Sequence, residues 1–411
     1  MSIITNAATD KINRNCPVCA HEEKQLLYSQ NFSPYLERGL LEGYDVVVCQ
    51  KCGFCFADKI PDQKLFDVYY KEMSKYENLE RATQPTPFDL TKFAVIADFI
   101  ETYLKDKKTE ILEIGCANGH FLNLLKKRGY NNIRGLDPSP ACASAARQLY
   151  AIEVLTNTLS GVSLDHSIDF LVLLGVLEHV RDLDASMLKL NAMLRMGGRI
   201  CVVVPDASSY SQGEDAPFQE FSTEHINFFG PQSLTNLMQV YGFHPIMIQQ
   251  DVIEPAHKTK TPIIMAMYRK ETDADIPYTV HISRDADTEQ GLVSYIDLSR
   301  HLDDRINTII NEIVFSHKPV IVWGTGALTL RLLADSSLSK AIITAFVDSN
   351  PKYQGQKLGV VPIISPADVK NRSESILIST RAYQNEILNI IRKELMLSNE
   401  VITLFDFHEY S

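Results

Sequence analysis

The chain has 411 residues, of which 45% are hydrophobic and 22% charged, and its formal net charge is −11. That length predicts two or three domains and that composition a globular protein. The acidic balance, with no long basic run, disfavours unselective nucleic-acid binding. No apolar run reaches the roughly 18–20 residues of a membrane span, and residues 1–15 lack the apolar core of a signal peptide, so no membrane partner and a cytoplasmic location are expected.

Five of the eight cysteines precede residue 56. Clustered cysteines in a reducing compartment bind metal more often than they form disulfides. Cys16-x-x-Cys19 and Cys49-x-x-Cys52 form two knuckles, each presenting two thiolates from a tight turn to one tetrahedral ion. Four ligands close a structural zinc site, so Cys55 is read as a small buried residue after the second turn. The 29 residues between Cys19 and Cys49 have room for a small hairpin, and "YDVVVC" supplies a strand into the second knuckle. This zinc-binding module is placed at 1–72. Helical periodicity follows in "PDQKLFDVYYKEMSKYENLERATQP" and in "PTPFDLTKFAVIADFIETYLK".

A second domain, 73–272, is predicted from alternating strands and helices. "TEILEIGCANGHFLNLLKKRGY" reads as buried strand, glycine turn and helix, and "IRGLDPSPACASAARQLY" repeats the pattern. "IDFLVLLGVLEHV" is a third buried strand and "GGRICVVVP" a fourth. This order predicts a parallel sheet covered on both faces. Gly115 and Gly119 permit close approach of backbone to a ligand. Asp137, 24 residues beyond Glu113, ends the next strand, where an acid accepts both hydroxyls of a ribose. The turn lacks the G-x-G-x-x-G pattern and begins with an acid. Glu113 repels a phosphate and attracts an ammonium or sulfonium group.

The polar stretch near 269–291 is read as the boundary to a third domain, 273–411. A long helix leads there to "PVIVWGTGALTLRLLAD" and "AIITAFVDSN", a second strand-glycine-helix-strand-acid unit, with "ESILISTRAY" as a later strand. Gly324, Gly326 and Asp348 suggest a dinucleotide site, but Thr329 stands where the third glycine belongs.

"LEIGCANGHFL", "GLDPSP", "LLGVLEHVRDL" and "MLRMGGRICVVVPD" together resemble the class I S-adenosylmethionine-dependent methyltransferases. The resemblance implies S-adenosylmethionine as cofactor, with Gly115, Asn118 and Gly119 at its methionine end, Asp137 on its ribose and Glu113 in the same binding set. Adenine contacts fall after the third strand in that family, here "LTNTLSG", which carries no acid. Phe121 is read as core. Paired knuckles, this core, the stretch "EHINFF" and a C-terminal Rossmann-like half resemble the sugar C-methyltransferases of deoxysugar biosynthesis. The expected fold class is α/β: a class I methyltransferase Rossmann-like core with an N-terminal zinc-binding module and a C-terminal Rossmann-like domain. That family acts on nucleotide-linked 4-keto sugars, with the base at the position of His225 and Glu224 before it. Tyr76 falls in a stretch similar to the one that closes over the cofactor. "DSNPKYQG" resembles a segment of the family's C-terminal half, used for substrate docking.

Carbon is not nucleophilic until it loses a proton, which a histidine with an ordinary pKa of about 6.5 can take. Adjacent residues of a strand point oppositely, so Glu224 and His225 serve one site only on a turn, with Phe228 and Phe229 docking it. Taken alone, a Glu-His pair is ordinarily structural. His179, at the rim of the third buried strand, is a further candidate for the methyl or substrate site. Ser222-Thr223 stand where the sugar C-methyltransferases have Tyr-His. "EHINFF" with "PQSLTNLMQVYGF" also resembles O-methylating enzymes. A C-methyltransferase acting on a nucleotide sugar, as a monomer or small homo-oligomer, is expected. The alternatives are an O-methyltransferase acting on a glycan or natural product, a non-catalytic scaffold, and an NAD oxidoreductase.

Overall fold

The computed structural model describes residues 12–33, 40–72, 84–162, 164, 168–273 and 280–405. The first segment holds β1 (Lys24–Asn31), β2 (Gly43–Cys49), β3 (Cys55–Asp58) and helix α1 (Gln63–Glu72). The central segment runs α2 (Pro87–Tyr103), β4 (Ile111–Ile114), α3 (His120–Lys127), β5 (Ile133–Asp137), α4 (Pro140–Tyr150), β6 (Glu153–Thr156), β7 (Ile168–Leu174), α5 (Leu183–Met193) and β8 (Leu194–Pro205). It continues through β9 (Asn227–Phe228), α6 (Pro231–Val240), β10 (Phe243–Ile253) and β11 (Thr261–Lys270). The last segment comprises α7 (Ala286–Ser316), β12 (Val320–Trp323), α8 (Ala327–Asp335), β13 (Ile343–Val347), β14 (Lys357–Leu358), β15 (Val361–Ile364), β16 (Ser375–Ile378), α9 (Gln384–Asn389) and β17 (Val401–Thr403).

Local chemistry sets several of these boundaries. Thr86 and Asp89 cap α2 reciprocally, with Pro87 in the first turn, and the Ser139 hydroxyl caps α4 ahead of Pro140. All four residues of β4, "ILEI", are buried, as a central parallel strand requires.

The central sheet has the order β10-β11-β8-β7-β4-β5-β6. Strands β4 to β8 run parallel, and β11 closes antiparallel on β8 with β10 outside it. The chain steps outward from β4 through β5 and β6, then crosses back to β7. This leaves a switch point between β4 and β7, where ligands of open α/β sheets bind. The C-terminal sheet has the order β14-β15-β13-β12-β16-β17, and its switch point lies between β12 and β16.

The small sheet, β1-β2-β3-β9, joins the three segments. Its fourth strand comes from the "EHINFF" stretch, with Cys55 opposite Phe228 and Phe56 opposite Asn227. Side chains alternate across it. Val46, Val48, Cys55 and Ala57 pack with Leu292, Tyr295 and Phe346 of the C-terminal segment. Val47, Cys49 and Phe56 pack with Leu171, Phe229 and Leu234 of the central one. A strand buried on both faces reads as a continuous apolar run, and "YDVVVC" does.

In the central sheet, three strands lie outside the elements read from sequence. The short β6 puts the supposed third strand, β7, fourth in its sheet, and the hairpin β10-β11 extends that sheet to seven strands. Within the stretch near 269–291, Lys270 still belongs to β11, and α7 begins at Ala286.

Phe54 is fully buried, with its ring 5.1 Å from that of Phe229. We expect Phe54→Ala to cost about 3–5 kcal/mol in denaturant unfolding. Because both faces of the small sheet are covered, the first and central segments should lose stability in one shared transition, with no separate early loss of the N-terminal segment.

Candidate functional site

At the central switch point the ends of β4, β5 and β7, and the segment after β6, open into a cavity of ≈ 210 Å³. Its wall includes Gly115 and Ala117 after β4, Asp137 and Pro138 at the end of β5, and residues 157–160 after β6. Gly175, Val176 and His179 follow β7, and Gln63, Asp67, Tyr69 and Tyr70 cover the cavity from α1. Gly115 has φ +70°, and a Cβ there would meet Val176 at 2.9 Å. Ala117 also adopts a left-handed conformation, at φ +45°, a cost that functional loops carry.

Asp137 braces this loop. One carboxylate oxygen accepts from the Ala117 N–H and the other from the Ser139 N–H, both at 2.9 Å. Glu113 is buried, and its Oε2 has no hydrogen-bond partner. Burial, reinforced by the charge of Asp137, pushes its pKa up to about 8. A buried, incompletely satisfied acid behind a small cavity fits a cationic ligand, so the fit with S-adenosylmethionine is chemical as well as topological. Glu113, Asn118 and Gly119 are not among the residues of the cavity wall. Gly119, at φ +73°, caps α3 and packs closely on Ala146. Phe121 is buried in the core, as read from sequence.

Glu224 lies on a bend and His225 directly after it, both outside any strand. The Ser222 hydroxyl accepts from the N–H groups of Glu224 and His225, so this serine builds the turn. Glu224 reaches the cavity wall, and Tyr69 donates to its carboxylate at 3.1 Å. His179 sits in the 3-10 turn Leu177–His179, and its Nδ1–H donates to the Glu224 carbonyl at 3.0 Å. The His179 and His225 rings meet edge to face at 5.0 Å. His225 stands beside the cavity and is not part of its wall. Its Nδ1 lies 3.5 Å from Glu220. Burial disfavours the charged ring, but Glu220, with Glu178 and Glu224 beyond it, outweighs that and raises His225 above the usual histidine value. Phe228 and Phe229 are fully buried.

Tyr76 lies outside the described residues. Among the described residues, Tyr69 and Tyr70 of α1 line the cavity. Sequence reading also missed Glu220 and Glu178. An acid five residues before a histidine carries no recognisable spacing.

The four knuckle sulfurs gather within 4.8 Å of one another, with Cys16–Cys52 at 3.4 Å and Cys19–Cys49 at 3.5 Å. Tetrahedral zinc, with Zn–S near 2.3 Å, sets its sulfurs about 3.8 Å apart, so the set fits. Cys55 is buried and its thiol turns to the Gly53 carbonyl, outside the cluster.

A second cavity opens at the C-terminal switch point, lined by Gly324, Thr325, Gly326, Asp348 and Arg381, with Asp215 and Gln219 from the central segment. A Cβ on Gly326 would point into open space. Arg381 is 9% exposed, and its Nε has no partner. Burial raises Asp215 to about 6 despite that guanidinium. Thr329 occupies the place of the missing glycine and donates to the Gly324 carbonyl, while Thr325 donates to Asp348.

Glu113 has a sign-definite consequence. Its folded pKa lies above that of an ordinary carboxyl, so its stability contribution is complete at low pH and is lost as pH rises toward 8. We expect Glu113→Gln to gain on the wild type in urea midpoint between pH 5 and 8.5, and a constant difference would overturn that assignment.

Residues 88–247 match the family model described as "Methyltransferase domain", and residues 316–403 the one described as "C2185-like, N-terminal". A probable S-adenosylmethionine-dependent methyltransferase of Mycolicibacterium smegmatis is 29% identical over 136 residues, covering 33% of this chain and 51% of that protein. One from Mycobacterium tuberculosis is 28% identical, covering 33% and 48%. The chain thus spans about half the length of the curated relatives it matches. A methyltransferase structure from Methanosarcina mazei aligns at 20% identity with a TM-score of 0.36, covering 43% of this chain and 98% of that one. Residues 88–247 thus match a methyltransferase domain and are similar to S-adenosylmethionine-dependent methyltransferases, and the strand order and switch-point cavity agree with a class I methyltransferase fold.

Proposed function

We propose that the whole chain is an S-adenosylmethionine-dependent methyltransferase that C-methylates a nucleotide-linked keto sugar, with His225 as the general base. The observation that carries the reading is the placement of the histidine pair. His179 and Glu224 border the cofactor cavity, and His225 stands against His179 with Glu220 behind it. Bound S-adenosylmethionine supplies an electrophilic methyl group. The chain's own residues do the rest: Asp137 holds the polar part of the cofactor, Glu113 acts electrostatically on its cationic part from behind the wall, and α1 excludes water. The acceptor's proton passes to His225, whose charged form Glu220 stabilises, while Glu224 orients ring and substrate.

The substrate class rests on the path of one segment. Asp215 and Gln219 line the C-terminal cavity, Glu220 faces His225, and Glu224 lines the cofactor cavity. A substrate with a phosphate-bearing handle on Arg381 and the glycine loop would have its reacting end guided along this segment. An NAD role is disfavoured, because Thr329 fills the third-glycine position and Asp348 is engaged by Thr325. We place the domain boundaries at 72/73 and 272/273, with structural zinc in the first domain.

Asp137→Ala should weaken S-adenosylhomocysteine binding at least ~10-fold by calorimetry. His225→Ala should keep that affinity and lose turnover by ~100-fold or more in a screen of nucleotide sugars. Retained turnover in His225→Ala would sink the base assignment. Transfer to a substrate with no ketone would favour O-methylation. Absence of transfer to any acceptor would favour the scaffold reading. Separately, metal analysis should find one zinc per chain, absent in Cys49→Ser, with a lowered melting temperature.

A further inference from the structure

Arg14 is 3% exposed, and its guanidinium faces neutral acceptors. Nη1 donates to the carbonyls of Ala57 and Ile226, at 3.0 and 3.2 Å. Nη2 donates to the Arg181 carbonyl and the Asn227 side-chain oxygen, both at 3.1 Å. The plane packs 5.4 Å from the Phe56 ring centroid. Its backbone N–H donates to Asp58, which also pairs with Lys24. Burying a guanidinium against carbonyls is costly, and well-packed apolar side chains would serve stability as well or better. What the fork gains is geometry: its two terminal nitrogens, held in a rigid plane, fix several chain segments at once, while Nε has no partner.

Those segments carry the reactive side chains. Ile226 follows His225. The Asn227 amide, held by Arg14, donates to the carbonyls of Leu177 and Val180 at 2.8 and 2.7 Å, bracketing the turn of Glu178 and His179. The Ile226 N–H donates to the Glu178 carbonyl at 2.8 Å. Arg181, the fourth anchor, follows that turn directly. One guanidinium therefore holds both backbones that set the His179–His225 spacing, and it lies two residues before Cys16.

We propose that Arg14, acting through Asn227, is the positioning residue for the His179–His225 pair, so that the four-cysteine module sets the geometry of the reaction centre from outside it. Neither residue touches the cofactor cavity. Their effect falls on turnover and on the electrostatics of His225, which faces Glu220, Glu178, Glu224 and His179. This inference rests on the proposed methyl transfer for its kinetic arm only.

The test compares Arg14→Leu, Arg14→Lys and Asn227→Leu with the full-length wild type. Calorimetry with S-adenosylhomocysteine should show affinities within about threefold of wild type, since the glycine loop and Asp137 are untouched. Histidine titration by NMR on 13C-labelled protein should show His225 moving down toward the ordinary value near 6.5 as Glu220 loses its register. In the transfer assay kcat should fall at least ~10-fold with KM for S-adenosylmethionine unchanged. Arg14→Lys should recover little, because an ammonium cannot reproduce the fork. If Arg14→Leu fails to fold, Asn227→Leu decides alone, since it cuts the tie to the turn and leaves Arg14 three acceptors. Wild-type titration and turnover in folded variants would overturn the proposal, as would loss of cofactor affinity in parallel with turnover. If the wild type transfers methyl to no acceptor, the proposed function fails while the titration still decides the positioning role.

Discussion

The structure depends on a four-stranded sheet that has no exposed face at its centre. The buried residues of β2 and β3 alternate between the two faces, and each face is the floor of a different core. A sheet of that size is marginal alone and acquires its stability from what covers it. The consequence runs both ways. The central and C-terminal segments are related through this sheet, and its last strand, β9, is drawn from the stretch that carries Glu224 and His225.

The candidate reaction centre is accordingly a composite. The parallel sheet supplies the glycine loop and Asp137, the N-terminal segment supplies the tyrosines of α1, and the bend before β9 supplies Glu224 and His225. Carboxylates and imidazoles are packed together there with limited access to water, and the raised pKa of His225 records the resulting field. Ser222 and Thr223, the point where the resemblance to sugar C-methyltransferases loosens, have a physical role of their own: the serine hydroxyl secures the two N–H groups of the bend.

What could be read from sequence was whatever depends on short spacing. The knuckles, the glycine turn, the acid after β5 and the buried runs of β4, β7 and β8 each have a local signature. The small sheet's strand β2 was also legible, because burial on both faces leaves an unbroken apolar run. Strand β6 has four residues, of which only Val154 is buried, too few for periodicity to register. The hairpin β10-β11 has an exposed outer strand, so its pattern is mixed. Glu220, Tyr69 and Arg14 make contacts that are distant in sequence or have no motif, and only the folded chain brings them to His225, Glu224 and Ile226 respectively.

The pairing of β3 with β9 joins residues separated by more than 170 positions in the chain. As the polypeptide emerges from a ribosome, β1 to β3 are complete long before their fourth strand exists, and one broad apolar face stays uncovered until the central sheet is made. Contacts this distant are formed late and slowly. The waiting hairpin must persist without its partners, and four early cysteines gathered at its base, able to close on a metal ion, would be a means of doing so. On that view the knuckles matter most during synthesis, as a brace that keeps an unfinished edge in register until β9 closes over it.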